Sequence, residues 1–285
     1  MLKQDSGKDT DSTKGADTRK AADQARIRAR MPSGTEEILN ERTLSSSHRR
    51  LDELLRPGMR VLDVGCGTGA ITRGIYEKNP SGITVGLDID VDLIQQAVNA
   101  SPRGPGFVAA DIHHMPFSRA FDLASAARVI QWLSSPRRAI ECCISAITPG
   151  GRFLVLDYNH EKIVWDPRPP ASMQAFYEVF LAWRSDAGMD NAIADYIAPA
   201  FDRLGLVDIR VTAQHEHADS LDGDRKSRLG IWSAVAATRG IQMVQDGYLT
   251  ESQRAAAEAD YREWIDSTAV SQTLYLLAVE GRVQG

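Results

Sequence analysis

The sequence predicts an α/β fold: a doubly wound, mostly parallel seven-stranded sheet with N-terminal helices and a mainly helical cap insertion. Three observations lead there. The stretch "VLDVGCGTGAIT", residues 61–72, runs from apolar residues through three closely spaced glycines into a helical pattern. Apolar segments of strand length then alternate with helical periodicity as far as Tyr158, as in parallel strands joined by crossover helices. From Asn159 the rhythm changes to longer, aromatic-rich helical patterns before strand patterns return.

Taken in order, residues 1–20 are polar and charged with no apolar stretch, which predicts a disordered leader and no secretory signal. Residues 21–56 read as an N-terminal helical cap, its helices interrupted near Pro32 to Gly34, with Ser33 or Thr35 capping the second. Pro57-Gly58 turns the chain into the first strand, whose buried residues are Val61, Leu62 and Val64. After the glycines, Ala70, Ile71, Ile75 and Tyr76 recur at helical spacing. "GITVGLDID" reads as the second strand and "VDLIQQAVNA" as an amphipathic helix, with "GFVAAD" and "FDLASAA" as strands three and four. "SPRRAIECCISAI" reads as a helix, "TPGG" as a turn and "RFLVLDY" as strand five, which closes a core over 57–158. In 159–285, "PRPP" reads as a loop and "ASMQAFYEVFLAWRSDAG" as a helix. "NAIADYIAPAFDRLG" reads as a helix that Pro199 kinks or begins. "LVDIRVTAQHEH" is the expected strand six, 225–268 are mostly helical, and "SQTLYLLAVEGR" is strand seven.

Composition narrows the function. A chain of 285 residues with 43% apolar content has material for a real core. No window approaches eighteen uninterrupted apolar residues, so no membrane partner is expected. The net charge of −5 argues against a nucleic-acid surface, which needs concentrated Lys and Arg. Cys66, Cys142 and Cys143 make neither a disulfide framework nor a metal-ligand spacing. His113-His114 are adjacent, and neither they nor the His215-x-His217 pair make a metal-ligand pattern, so no metal is expected. The default location is cytoplasmic, and a homodimer is left open.

The glycines carry the chemistry. Gly65, Gly67 and Gly69 permit backbone angles closed to other residues and leave room for a ligand against the main chain. The following helix points its free N–H groups into the same space. On these grounds the loop is a nucleotide-type cradle, and two cofactor classes fit it. Gly65, Gly67 and Ala70 match the G-x-G-x-x-A pattern of an NAD(P)-dependent oxidoreductase, with an acid about twenty residues on. Against it, the motif begins some sixty residues into the chain, and Asp63 adds a charge such a fold does not require.

A second pattern fits more of the chain. "VLDVGCGTG", "GLDID", "AADIHHMPF", "FDLASAARVIQWL" and "ITPGGRFLVLD" follow one another, and "DAGMDNAIADYIAPAFDRLGLVDIRV" leads to the sixth strand. In these residues, over about 40–215, the chain resembles the class I S-adenosylmethionine-dependent methyltransferases, in the small-molecule branch of the ubiquinone and menaquinone biosynthesis enzymes. The resemblance implies a Rossmann-like fold, S-adenosyl-L-methionine as cofactor, and a small-molecule acceptor. It implies that Asp63, Gly65, Cys66 and Gly67 serve the amino-acid end of the cofactor. Asp88, with Ile89 beside it, would accept the ribose hydroxyls, and Asp111 with Ile112 would meet the adenine. Ala127 and Arg128 complete the cofactor-binding set. Two departures stand out. Ala126-Ala127-Arg128 replaces the Asn/Asp-Pro-Pro-aromatic motif of enzymes acting on nucleic-acid base amines, and Gln131-Trp132 stands where many small-molecule members place histidine after the glutamine. The family's substrate contacts therefore do not carry over.

Methyl transfer from a sulfonium is an in-line displacement, so the protein's task is to align the reactants in a desolvated chamber. The acceptor pocket is expected from the N-terminal helices, the segment after strand five, and the helical region before strand seven. Aromatic residues concentrated between Tyr158 and Trp183 suit an apolar or aromatic acceptor, although such a stripe also suits a core. Tyr158 and His160 are the catalytic candidates, His160 as base for a phenol or hydroxyl. The alternative to an enzyme is a noncatalytic S-adenosylmethionine-binding protein.

Overall fold

The computed structural model describes residues 23–32, 40–219, 221 and 228–285. The expected leader over 1–20 and the Ser33 or Thr35 cap lie outside the described residues. Among these, eight strands form one sheet: β1 (Arg60–Val64), β2 (Ile83–Asp88), β3 (Gly106–Ala109), β4 (Phe121–Ala127), β5 (Ile147–Asp166), β6 (Val207–Ala213), β7 (Glu216–Asp219) and β8 (Ser271–Arg282). The order is β3-β2-β1-β4-β5-β8-β6, with β7 also on β8. Strands β1 to β5 pair in parallel, and β8 runs antiparallel to β5, β6 and β7.

The sheet is apolar on both faces, as a parallel sheet covered by helices must be. Alternate residues serve opposite cores. Val61, Leu123, Leu154 and Leu156 enter one cluster, while Leu62, Val64, Ala124, Phe153 and Val155 enter the other. On the first face lie α1 (Leu44–Ser47), α2 (Arg49–Leu54), α3 (Ala70–Lys78) and α6 (Ala171–Asp186), with Leu44, Leu51, Ile75, Met173 and Trp183 buried. The second face is covered by α4 (Val91–Ala100), α5 (Pro136–Ser145) and α7 (Ile193–Arg203). Three further helices, α8 (Ile231–Ala237), α9 (Arg239–Gln245) and α10 (Glu251–Ser267), fill the region between β7 and β8. No helix of the described residues is long and apolar enough to cross a membrane.

The structure amends the sequence reading at four places. The expected seven strands become eight because "LVDIRVTAQHEH" forms two. The His215 ring Nδ1 accepts the Leu276 N–H at 3.1 Å where a backbone carbonyl would otherwise continue the ladder, which separates β6 from β7. Strand five does not stop at Tyr158: paired along β8, it runs to Asp166, with an irregularity between Asn159 and Val164. "TPGG" lies within β5 as a bulge between the pairs Phe121–Ile147 and Leu123–Arg152, and Gly150 takes φ +83° there. Pro199 sits inside α7, not in its first turn.

Candidate active site

One cavity of about 860 Å³ opens beyond the carboxyl ends of β1, β2 and β4, where open α/β sheets place their ligands. It is near the upper end of the ~300–1,000 Å³ of small-molecule sites. The glycine loop forms its floor. The Gly65 and Cys66 N–H groups both donate to the Leu87 carbonyl, at 2.6 and 3.0 Å, which folds the loop onto β2. Gly65 has φ +70°, and a Cβ there would stand 2.3 Å from the Val129 side chain. Only glycine satisfies both limits.

Asp88 is bound into the same loop. Its Oδ2 accepts the Gly67 N–H at 2.8 Å and its Oδ1 the Asp90 N–H at 2.9 Å. Burial nevertheless pushes its carboxyl above the usual range, so the group is set to accept further donors. Asp111 caps the short turn Ile112–His114, taking the His113 N–H at 2.9 Å and Nδ1 at 3.0 Å. Burial opposes its charge, but these bonds outweigh it and hold the carboxyl below the usual range. Gly65, Gly67, Asp88, Ile89, Asp111, Ile112, Ala127 and Arg128 all line the cavity.

Two residues of the expected cofactor set do not line it. Asp63 is buried beneath the loop and accepts a 2.6 Å hydrogen bond from the Thr72 hydroxyl, with burial pushing its carboxyl up to about 7. It ties α3 to β1. The Cys66 thiol faces the sheet, where a Cβ on Gly86 would stand 2.9 Å from its sulfur, and burial pushes it far up.

At the far end, Tyr158 and His160 alternate on one side of β5 and stack with ring centroids 5.2 Å apart. Both line the cavity, together with Trp132, Phe180, Trp232 and Leu274. His160 Nε2 donates to Gln131 Oε1 at 2.7 Å, and burial, then the Arg184 charge, holds the imidazole well below its ordinary pKa. Tyr158 donates to Glu216 Oε2 at 2.9 Å and accepts from Arg128 Nε at 3.1 Å; burial and the Glu216 charge push the phenol up to about 12. Trp132 is clamped between guanidinium groups, with Arg184 at 4.7 Å and Arg239 at 4.5 Å from its ring centroid. The departure at Gln131-Trp132 is therefore built into the wall. Phe176, Tyr177 and Trp183 are core, as an aromatic stripe at helical spacing also allows.

The sequence reading missed Arg42, Glu216 and Arg239. Glu216 was visible only as a neighbour of His215 and His217, and Arg42 and Arg239 sat in helical patterns with nothing to single them out.

Residues 55–191 match a family model described as a methyltransferase domain. Over this stretch the chain is similar to methyltransferase domains. The cofactor of this family is S-adenosylmethionine. Among curated relatives, the chain is 30% identical over 155 residues to the ubiquinone/menaquinone biosynthesis C-methyltransferase of Laribacter hongkongensis, covering 49% of this chain and 56% of that one. It is 33% identical over 105 residues to a malonyl-[acyl-carrier protein] O-methyltransferase of Haemophilus ducreyi, covering 35% and 41%. The matched stretch thus spans about half the length of these relatives or less. Phosphoethanolamine N-methyltransferase 2 of Haemonchus contortus, solved in complex with S-adenosyl-L-methionine, shares the fold, with a TM-score of 0.53 at 15% identity over 96% of this chain and 59% of that one. The eight-stranded sheet with its flanking helices is thus the Rossmann-like methyltransferase architecture.

Proposed function

We propose that the protein binds S-adenosylmethionine on its glycine loop and moves the methyl group to a small acceptor in the far half of the same cavity. The observation that carries this reading is the continuity of the cavity, which runs from Gly65, Gly67 and Asp88 to Tyr158 and His160. Bound there, the cofactor would supply an activated sulfonium methyl. Gly65 and Gly67 leave the backbone open to its amino-acid portion, Asp88 takes the ribose hydroxyls, and Ile89, Asp111 and Ile112 surround the adenine. Ala127 and Arg128 border the reacting end. Asp63 and Cys66 act from beneath, by shaping the loop.

Trp132, Phe180, Trp232 and Leu274 favour an acceptor with an apolar or aromatic body. Tyr158 and His160 align it. His160 stays neutral well into acid, and Tyr158 stays protonated well into base, so neither is a strong proton acceptor near neutrality. An acceptor atom that is already unprotonated suits this chamber best.

Calorimetry with S-adenosylhomocysteine and with NADH tests the reading. Binding of the first and not the second is expected; binding of NADH alone would sink it. If S-adenosylmethionine binds but no acceptor is methylated across a metabolite extract, the noncatalytic alternative holds.

A further inference from the structure

His160 is anchored through its backbone and through one ring nitrogen. Its N–H donates to the Asn191 carbonyl at 2.7 Å, and its carbonyl accepts from the Tyr177 hydroxyl at 2.5 Å. The ring stacks on Tyr158 and makes T-shaped contacts with Phe180 and Trp232, at centroid distances of 5.2, 5.9 and 6.4 Å. Its place is therefore fixed by the fold. Gln131, 3% exposed, is held just as firmly. Its N–H donates to Asp157 Oδ2 at 3.1 Å, and its carbonyl accepts from Arg184 Nη2 at 2.8 Å. Its side-chain Nε2 donates to the Arg128 carbonyl at 3.3 Å. A carbonyl oxygen can only accept, so this bond fixes which way the side-chain amide points. The Gln131 atom facing the imidazole is then Oε1, 2.7 Å from His160 Nε2, and it too can only accept. Burial and the Arg184 charge keep the imidazole neutral, and a neutral imidazole carries one ring hydrogen. That hydrogen sits on Nε2, which leaves Nδ1 as a bare lone pair. Nδ1 has no partner among the described residues. Unlike the Nε1 of Trp232, it is not sealed in the wall, and His160 lines the cavity.

We infer that Gln131 is a positioning residue: it locks His160 as the Nε2–H tautomer, so that Nδ1 receives an O–H or N–H of the methyl acceptor. This rests on the functional reading above, which puts the acceptor in this half of the cavity. Phe180, Trp232 and Leu274 share that wall, so a ligand that brings no donor leaves the lone pair unpaired against apolar surface. A site built to hydrogen-bond a hydroxyl or N–H rejects the analogue lacking it for this reason. The buried imidazole is a weak base, so it holds the donor's hydrogen without removing it. The acceptor class that fits is an apolar or aromatic molecule bearing a neutral hydroxyl or N–H, by which it is oriented.

The test is nitrogen-15 NMR of the full chain with labelled histidine at neutral pH, the His160 signals being assigned by their loss in His160→Phe. In the wild-type protein Nε2 should appear protonated and Nδ1 bare. In Gln131→Leu, which keeps the bulk and removes the acceptor, the two nitrogens should share the hydrogen and their shifts converge. Tyr177→Phe loosens the same histidine through its carbonyl and should leave the tautomer unchanged; circular dichroism verifies that both variants fold. Binding is read on S-adenosylhomocysteine-saturated protein with two matched pairs, phenol against anisole and indole against 1-methylindole. The donor-bearing member of at least one pair should bind about tenfold tighter and shift the Nδ1 signal, because its partner leaves the lone pair unpaired. That preference should shrink in Gln131→Leu, where Nδ1 carries the hydrogen part of the time. A hydrogen on Nδ1 in the wild-type protein, an unchanged tautomer in Gln131→Leu, an equal change in Tyr177→Phe, or no preference in either pair overturns the inference. Failure to bind S-adenosylhomocysteine would overturn the functional reading instead, since the tautomer is read without it.

Discussion

Asp88 does two things at once: it closes the glycine loop through the Gly67 N–H and presents its carboxylate to the cavity. Losing a hydrogen bond to a charged group costs about 1.5–3 kcal/mol. Asp88→Ala should therefore weaken S-adenosylmethionine binding by roughly ten- to a hundredfold with the fold intact, read by calorimetry. Unchanged affinity would remove Asp88 from the site. Gly67 has φ +54°, so Gly67→Val should abolish binding, whereas Cys66→Ser, altering a thiol that faces the sheet, should retain it. Equal losses from both would mean that the loop matters only as scaffold. His48 sets a pH dependence of stability. Buried against the Ser125 hydroxyl at 2.8 Å, and near Arg128, it has its pKa lowered from 6.5 to about 3. The unfolded chain takes up this proton first, so the His48 contribution is complete above pH 6.5 and is lost as pH falls toward 3. The melting temperature should drop across that window, and His48→Gln should flatten the drop. An identical pH profile in the variant would refute the assignment.

At the scale of elements, the wall over the cavity is held by a few cationic clamps. Residues 23–29 form a helical segment whose last carbonyls, on Arg28, Ala29 and Arg30, all accept from the Arg239 guanidinium. Helix ends leave such carbonyls without partners, and a buried arginine is a strong remedy. From the other side, Arg28 donates to the Trp183 carbonyl and to Asp246 Oδ2 at 3.2 Å. The segment is thereby fastened to α6 and to α9 with its C-cap. Arg239→Ala should release it: amide exchange over 23–32 should quicken tenfold or more, while α10, capped independently by Thr250 and Gln253, stays unchanged. Equal quickening in α10 would indicate general destabilisation instead.

For the molecule as a whole, the doubly wound core alone would leave the strand ends open to water. Residues 23–32 and the stretch Ile231–Arg239 lie across that opening and line the cavity with the Tyr158 and His160 end of β5. Water exclusion strengthens every electrostatic interaction at a sulfonium. These segments should therefore gain protection from hydrogen exchange when S-adenosylhomocysteine and acceptor are present, and α10 should not. Should neither segment respond, the cap is rigid scaffold, and closure belongs to another part of the chain.

Most of the fold was legible because it is written in local, periodic terms. The alternation of Val61 and Leu62, or of Leu154 and Val155, between two cores is a period of two that any buried strand must show. The glycines, Asp88 and Asp111 stand at the strand ends where the topology gathers ligands, so their place in the cavity followed from order along the chain. What the sequence left undecided depends on residues far apart in it. The split of β6 from β7 needed the His215 ring against Leu276, and the length of β5 needed β8 beside it. The Arg42, Arg128 and Glu216 cluster joins a residue before α1, one after β4 and one in β7. No spacing rule connects those positions. Local periodicity determined the elements and the glycine-loop end of the cavity; only tertiary packing, which sets desolvation and charge proximity, decided the wall around Tyr158 and His160.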